Sequence, residues 1–208
     1  MIDRAGKPHP IWPVAIGREE GLALEAWVVR EHAQATLEVG LGYGIATLFI
    51  CDALLSLGSD ARHLAIDPYQ VRGLPDHDTR FAGLGLQLLE DAGIRELVEF
   101  HEQESQIVLP RLLEDGRRFD LAFVDGSHRF ESVFMDLVYC GRLLKEGGIV
   151  FADDIQIEGV RKAIDFCVAN LRWSVEDQGS EGPAHRWIVL RTGPAGVFSR
   201  PYTAFVNF

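Results

Sequence analysis

Between Thr36 and Asp154 the sequence switches repeatedly between short, almost wholly apolar runs and helix-length segments. TLEVG, HLAID, ELVEFHE, FDLAFVDG and GGIVFADD have strand length and composition. GIATLFICDALLSLG, RFAGLGLQLLEDAG, SQIVLPRLLEDG and ESVFMDLVYCGRLLK, which lie between them, have helical length and spacing. A parallel strand pair needs a crossover of about a dozen residues, usually a helix, so this alternation predicts a parallel sheet. Strands apolar on both faces require helices on both faces. Pro110 weakens the expectation of a helical interior for the third of these segments, because proline lacks an N–H and crowds the preceding turn.

Outside this block, Leu22, Ala26 and Val29 repeat at helical spacing, with Leu24, Trp27 and Val28 widening the apolar face, and predict a helix over 18–32. Another helix is expected over 158–170. RWSVEDQ and HRWIVLR flank the turn GSEGP and predict an antiparallel pair at a sheet edge. Residues 1–17, with Pro8, Pro10 and Pro13, form an extended arm. Residues 193–208 carry Phe198, Tyr202, Phe205 and Phe208, and are expected to dock on the domain or on a neighbouring copy. No repeat or linker divides residues 18–192, so the expectation is one α/β domain with a mostly parallel central sheet and an antiparallel edge strand.

The 208 residues suffice for one self-supporting core. A net charge of -11, with no basic run interleaved with aromatics, argues against nucleic acid or an anionic membrane as partner and for a small ligand. No apolar run has bilayer-spanning length. Cys51, Cys140 and Cys167 are odd in number and contain no Cys-x-x-Cys, which fits reduced core cysteines and a cytoplasmic protein.

The sharpest local signal is Glu38-Val39-Gly40-Leu41-Gly42-Tyr43-Gly44, between the first strand and its helix. Glycines there allow a tight turn and let a ligand reach backbone N–H groups at the helix start. Asp67 closes the second strand, where a carboxylate can accept from ribose hydroxyls. A dinucleotide site has the same needs, but its fingerprint is Gly-x-Gly-x-x-Gly, and here the third glycine follows after one residue.

Asp125, Asp153 and Asp154 end the fourth and fifth strands, which a parallel sheet brings to one rim. Gathered carboxylates repel unless a cation, a proton or a donor compensates, and their oxygens suit magnesium or calcium. Alternatively, Asp125 caps a turn at Gly126, Asp154 caps the following helix, and Asp153 binds backbone. His128, three residues after Asp125, is a candidate proton acceptor, or else a ligand or supporting residue. The loop 67–72 and the patch Asp76-His77-Asp78 either border an acceptor site or are solvated surface. His9, His32, His63 and His185 have no local constellation.

TLEVGLGYGIATL, HLAIDPYQ, FVDGSHRFESVFMDL and LLKEGGIVFADDI together resemble class I S-adenosylmethionine-dependent methyltransferases. The likeness is nearest to the catechol-type and antibiotic-tailoring small-molecule O-methyltransferases and covers about residues 18–192. It implies a Rossmann-like methyltransferase sandwich in which Glu38, Gly40, Gly42 and Gly44 hold the methionine part of S-adenosyl-L-methionine and Asp67 binds its ribose. Ser105 and Gln106 resemble the adenine-side pair, with His101 lining the same region; Ser105 as a plain helix cap is the other reading. The resemblance also implies a divalent cation, Mg2+, held by Asp125, Asp153 and Asp154, that aligns an acceptor hydroxyl. Catechol-type relatives often carry Asp-Asn at the second strand end and others an acidic pair, so Asp153-Asp154 departs from one pattern and fits the other, and the catechol type has a lysine where this chain has His128. The expected reaction is direct methyl transfer to a small-molecule oxygen, with His128 and Asp125 in the catalytic roles. The alternatives are metal-independent transfer, a nicotinamide-dependent oxidoreductase and a non-catalytic cofactor-binding scaffold. The apolar arm and aromatic tail make a homodimer an expectation.

Overall fold

A computed structural model describes residues 1–58, 60–71, 81–182 and 185–208. Five strands, β1 (Ala35–Val39), β2 (Arg62–Ile66), β3 (Val98–His101), β4 (Phe119–Val124) and β5 (Leu144–Ala152), alternate with helices α2 (Ile45–Leu57), α3 (Leu84–Asp91), α4 (Ser105–Glu114) and α5 (Phe130–Leu143). Helix α1 (Arg18–Arg30) precedes them, and α6 (Glu158–Leu171), β6 (Ser174–Ser180) and β7 (Arg186–Arg191) follow. The sheet order is β3-β2-β1-β4-β5-β7-β6. β1 to β5 pair in parallel, and β7 runs antiparallel to both β5 and β6. The chain is thus an α/β sandwich of the expected type, mostly parallel with an antiparallel pair closing one edge.

Strand alternation sorts the core into two layers. Leu37, Val39, Val124, Val150 and Ala152 pack with α4, α5 and α6. The intervening residues Leu121, Phe123, Ile149 and Phe151 pack with α1 and α2 on the other face. α1 approaches α2 closely at Gly21, where an added Cβ would lie 2.2 Å from the Phe49 ring. The order reverses between β1 and β4, and such a switch point opens a crevice at the carboxyl ends of the strands.

Pro110 does not break α4, contrary to the expectation for its interior. One backbone hydrogen bond is forfeited, and the carbonyl it frees belongs to Gln106, which is exposed to water. Val108, Leu109 and Leu112 remain buried against the sheet and hold the helix in place.

At the chain start, the phenol of Tyr43 in the glycine turn donates to the Pro10 carbonyl at 3.2 Å. Ile11 packs with Tyr43 and Leu84. In the tail, Phe208 meets the Phe166 ring of α6 edge-on, with centroids 5.3 Å apart. The Asn170 amide donates to the Val206 carbonyl at 2.8 Å and accepts from its N–H at 2.9 Å. The three cysteines are free and buried, and burial pushes the Cys51 thiol up to about 12. Among the described residues, no helix is long and apolar enough to cross a membrane.

Candidate functional site

The glycine turn at the β1 end is built on positive backbone angles: φ is 101° at Gly40, 52° at Gly42 and 77° at Gly44. A Cβ on Gly40 would sit 2.1 Å from the Asp125 carbonyl oxygen, so glycine is what lets the ends of β1 and β4 touch. Asp67 is drawn to the same turn. One oxygen accepts the Gly42 N–H at 2.7 Å, the other the Tyr69 N–H at 2.7 Å. The Gln70 amide donates to the Gly42 carbonyl at 2.7 Å and to Asp67 at 3.2 Å. Burial raises the Asp67 pKa, while these donors oppose it.

Beneath the turn, Glu38 is fully buried. Its Oε2 accepts from the Thr47 hydroxyl at 2.7 Å and bonds His63 Nε2 at 2.7 Å, while the other ring nitrogen of His63 meets the Thr36 hydroxyl at 2.9 Å. Glu38 Oε1 has no hydrogen-bond partner among the described residues, although buried acceptors are almost always satisfied. His63 therefore does belong to a constellation. Its partner lies on the neighbouring strand, where local spacing does not show it.

The other cofactor-side candidates separate. His101 Nε2 lies 2.9 Å from Glu99, which also holds Arg117 at 2.9 Å, so the ring serves an ion-pair group at the sheet edge. Its carbonyl accepts the Asp67 N–H at 3.1 Å, which links it to the site through backbone. Ser105 is the first helical residue of α4, and the cap position is Glu104. Gln106 donates to Glu104. The Ser105 hydroxyl meets Asp136 of α5, whose carboxyl is buried and pushed up to about 6 by that burial. Asp136 Oδ1 has no hydrogen-bond partner among the described residues.

At the acidic rim the three aspartates divide. His128 Nε2 stands 2.7 Å from Asp154 Oδ2 and 3.8 Å from Asp125 Oδ1, and one ligand atom from each of the three lies within 4.8 Å of the others. The carboxylates of Asp125 and Asp154 push the His128 pKa up to about 10. Burial raises Asp125 to about 6 against the pull of His128. Asp153 faces away from this group, toward Glu20 of α1 and His185, and their ligand atoms also fall within 4.8 Å of one another. Parity explains the division: Ile149 and Phe151 face α1 and α2, and Asp153 continues their alternation. Asp154 then takes a left-handed backbone, φ 59°, with its N–H donating to Asp153 Oδ1 at 2.6 Å. The side chain of Asp154 does not cap α6, whose cap residue is Ile157.

Glu20, Gln70, Asp136 and His185 are site-region residues that local motifs miss. A signal existed for Glu20, since it lies one turn before Leu24 on the apolar face of α1. Gln70 is buried, so the start of the loop at 67–72 is not solvated surface. The patch Asp76-His77-Asp78 lies outside the described residues. A separate cavity of about 520 Å3 between α6 and the tail, lined by Asn170, Arg172 and Phe205 among others, shares no residue with the rim.

A family model described as a methyltransferase domain matches residues 37–155, more than half of the chain. Catechol O-methyltransferase B of Danio rerio is 28% identical over 163 residues, covering 76% of this chain and 56% of that protein. Caffeoyl-CoA O-methyltransferase of Petroselinum crispum is 28% identical over 143 residues, covering 65% of this chain and 54% of its own. The chain thus spans about half the length of these curated relatives. Among solved structures, the O-methyltransferase TomG of Streptomyces achromogenes, crystallised with S-adenosylmethionine, superposes with a TM-score of 0.70 at 20% identity, covering 86% of this chain and 82% of that one.

Proposed function

Because the chain belongs to the methyltransferase-domain family, we propose that it transfers the sulfonium methyl group of S-adenosyl-L-methionine to a hydroxyl oxygen of a small molecule. The observation that carries this reading is the buried Glu38, whose unpartnered Oε1 lies below a glycine turn and beside Asp67. The unpaired acceptor, beneath a turn whose three glycines bring no side chains, fits a ligand that carries its own donors, as an amino-acid ammonium and ribose hydroxyls do. Gly40, Gly42 and Gly44 would admit the methionine part against backbone, with Glu38 beneath it. Asp67 would hold ribose, and Ser105 and Gln106 the adenine side.

Asp125 and Asp154 would hold a divalent cation through carboxylate oxygens, which suit Mg2+ or Mn2+, with His128 beside it as the proton-handling group. When bound, that cation supplies Lewis acidity that lowers the pKa of an acceptor hydroxyl. The protein's own part is positioning and proton handling. Held between two carboxylates, His128 is an imidazolium at neutral pH and cannot accept a proton. Neutralising those carboxylates removes what keeps it charged, and Nε2 then becomes available to take the acceptor's proton. The names of the relatives, catechol and caffeoyl-CoA O-methyltransferases, support aromatic hydroxyl acceptors as the first class to test.

Calorimetry with S-adenosylhomocysteine tests the cofactor half: binding is expected, and Asp67→Ala weakens it roughly tenfold or more, about 1.4 kcal/mol. Unchanged affinity in that variant removes Asp67 from the ribose role. Methyl transfer to a vicinal aromatic diol, assayed with and without a chelator, tests the other half. One observation favours a metal-independent variant: His128 already places one positive charge between the two carboxylates. Transfer that survives chelation selects that variant.

A further inference from the structure

We propose that Glu20, Asp153 and His185 form a second divalent-cation site beside the Asp125, His128 and Asp154 group. Glu20 is fully buried, no donor group among the described residues reaches its oxygens, and its carboxyl meets that of Asp153 at hydrogen-bond distance. Two buried carboxyls that face one another are costly unless a proton or a cation lies between them. Its side chain aims at Asp153, which is 5% exposed, and at the imidazole of His185.

The rest of the surroundings hold Glu20 in that position. The Glu181 carboxylate, from the turn before β7, accepts the Glu19 N–H at 3.0 Å and anchors the first turn of α1. One residue beyond Glu20, Gly21 lies against Phe49 with no room for a Cβ, which fixes the rotation of the helix. His185 is steadied by the edge of Trp12, with ring centroids 5.6 Å apart. The three ligands come from positions 20, 153 and 185, so three distant segments converge with one donor each. Two carboxylates and an imidazole match a first-row divalent cation such as Mn2+, with coordination positions left for water or an acceptor oxygen. This site shares no ligand with the Asp125, His128 and Asp154 group and stands whether or not that group binds metal.

The test is Mn2+ titration of the whole cofactor-free chain, with free Mn2+ followed by electron paramagnetic resonance, in wild type, Glu20→Gln, His185→Gln and Asp125→Asn. Glu20→Gln and His185→Gln are each expected to remove one bound Mn2+ or weaken it roughly tenfold or more, and Asp125→Asn to leave that ion in place. Anomalous diffraction from a Mn2+ soak should show an ion among Glu20, Asp153 and His185. Binding unaltered in both Glu20→Gln and His185→Gln, or no ion bound by wild type, overturns the proposal. If Glu20→Gln does not fold, the partly exposed His185→Gln decides alone. An ion lost only in Asp125→Asn also overturns it, while leaving the first group intact. Loss in Glu20→Gln with none in Asp125→Asn upholds it and counts against a cation at the first group.

Discussion

Asp154 occupies left-handed backbone that asparagine adopts as readily as aspartate, so Asp154→Asn separates charge from conformation. In metal-free protein this variant should lower the His128 pKa from about 10 toward its ordinary value of 6.5, as read by a proton NMR titration of the imidazole. The sign follows from the pairing: a histidine raised above its unfolded value contributes stability below the unfolded pKa and loses it as pH rises through the folded one. Wild type should therefore lose this contribution as pH approaches about 10, and Asp154→Asn should lose it at lower pH. Asp125 and His128 were legible as neighbours because three residues separate them after a strand end. The division of Asp153 from Asp154 was not read. It depends on strand parity and on one positive φ, and aspartate accepts that φ without demanding it. His63 escaped for a related reason, since its partner Glu38 is a lateral neighbour on another strand.

At the level of elements, α1 and α5 each carry a carboxyl where an apolar helix face would be simpler. The Asp136 carboxyl of α5 is buried and raised to about 6 from an unfolded 3.8, so the folded state favours its neutral form. Stability should fall as pH rises from about 4 through about 6, and Asp136→Asn should remove that slope. The gap between variant and wild type in urea unfolding should widen by up to about 3 kcal/mol over this window. For α1, Gly21→Ala should destabilise by about 1–3 kcal/mol despite the better helix propensity of alanine, because the added methyl meets the Phe49 ring. Chemical denaturation measures it directly. The strands and helices of the β-α block were legible from periodicity. α4 shows where propensity misleads: Pro110 costs one hydrogen bond, and three buried residues on the sheet side outweigh it.

Across the whole molecule, the sheet order follows from which strands can sit inside. Trp187, Ile188, Val189 and Leu190 of β7 are buried, whereas β6 is mostly exposed and polar, with Glu176 and Asp177 on the outer edge. The two segments were legible as a pair. Their order was implicit in this contrast, since an apolar run needs neighbours on both sides and a charged one suits an edge. The tail forms part of the same structure. Phe166→Ala, which removes the ring met by Phe205 and Phe208, should cost about 1–3 kcal/mol and speed proteolysis of residues 200–208 while leaving S-adenosylhomocysteine affinity unchanged. The rim draws on Glu20 near the chain's beginning and on His185 late in it, while the glycine turn, Asp67 and Ser105 all precede His185 by a wide margin. A ribosome therefore delivers every residue of the proposed nucleotide cradle before His185. During synthesis the proposed cofactor residues are complete while the acidic rim still lacks His185.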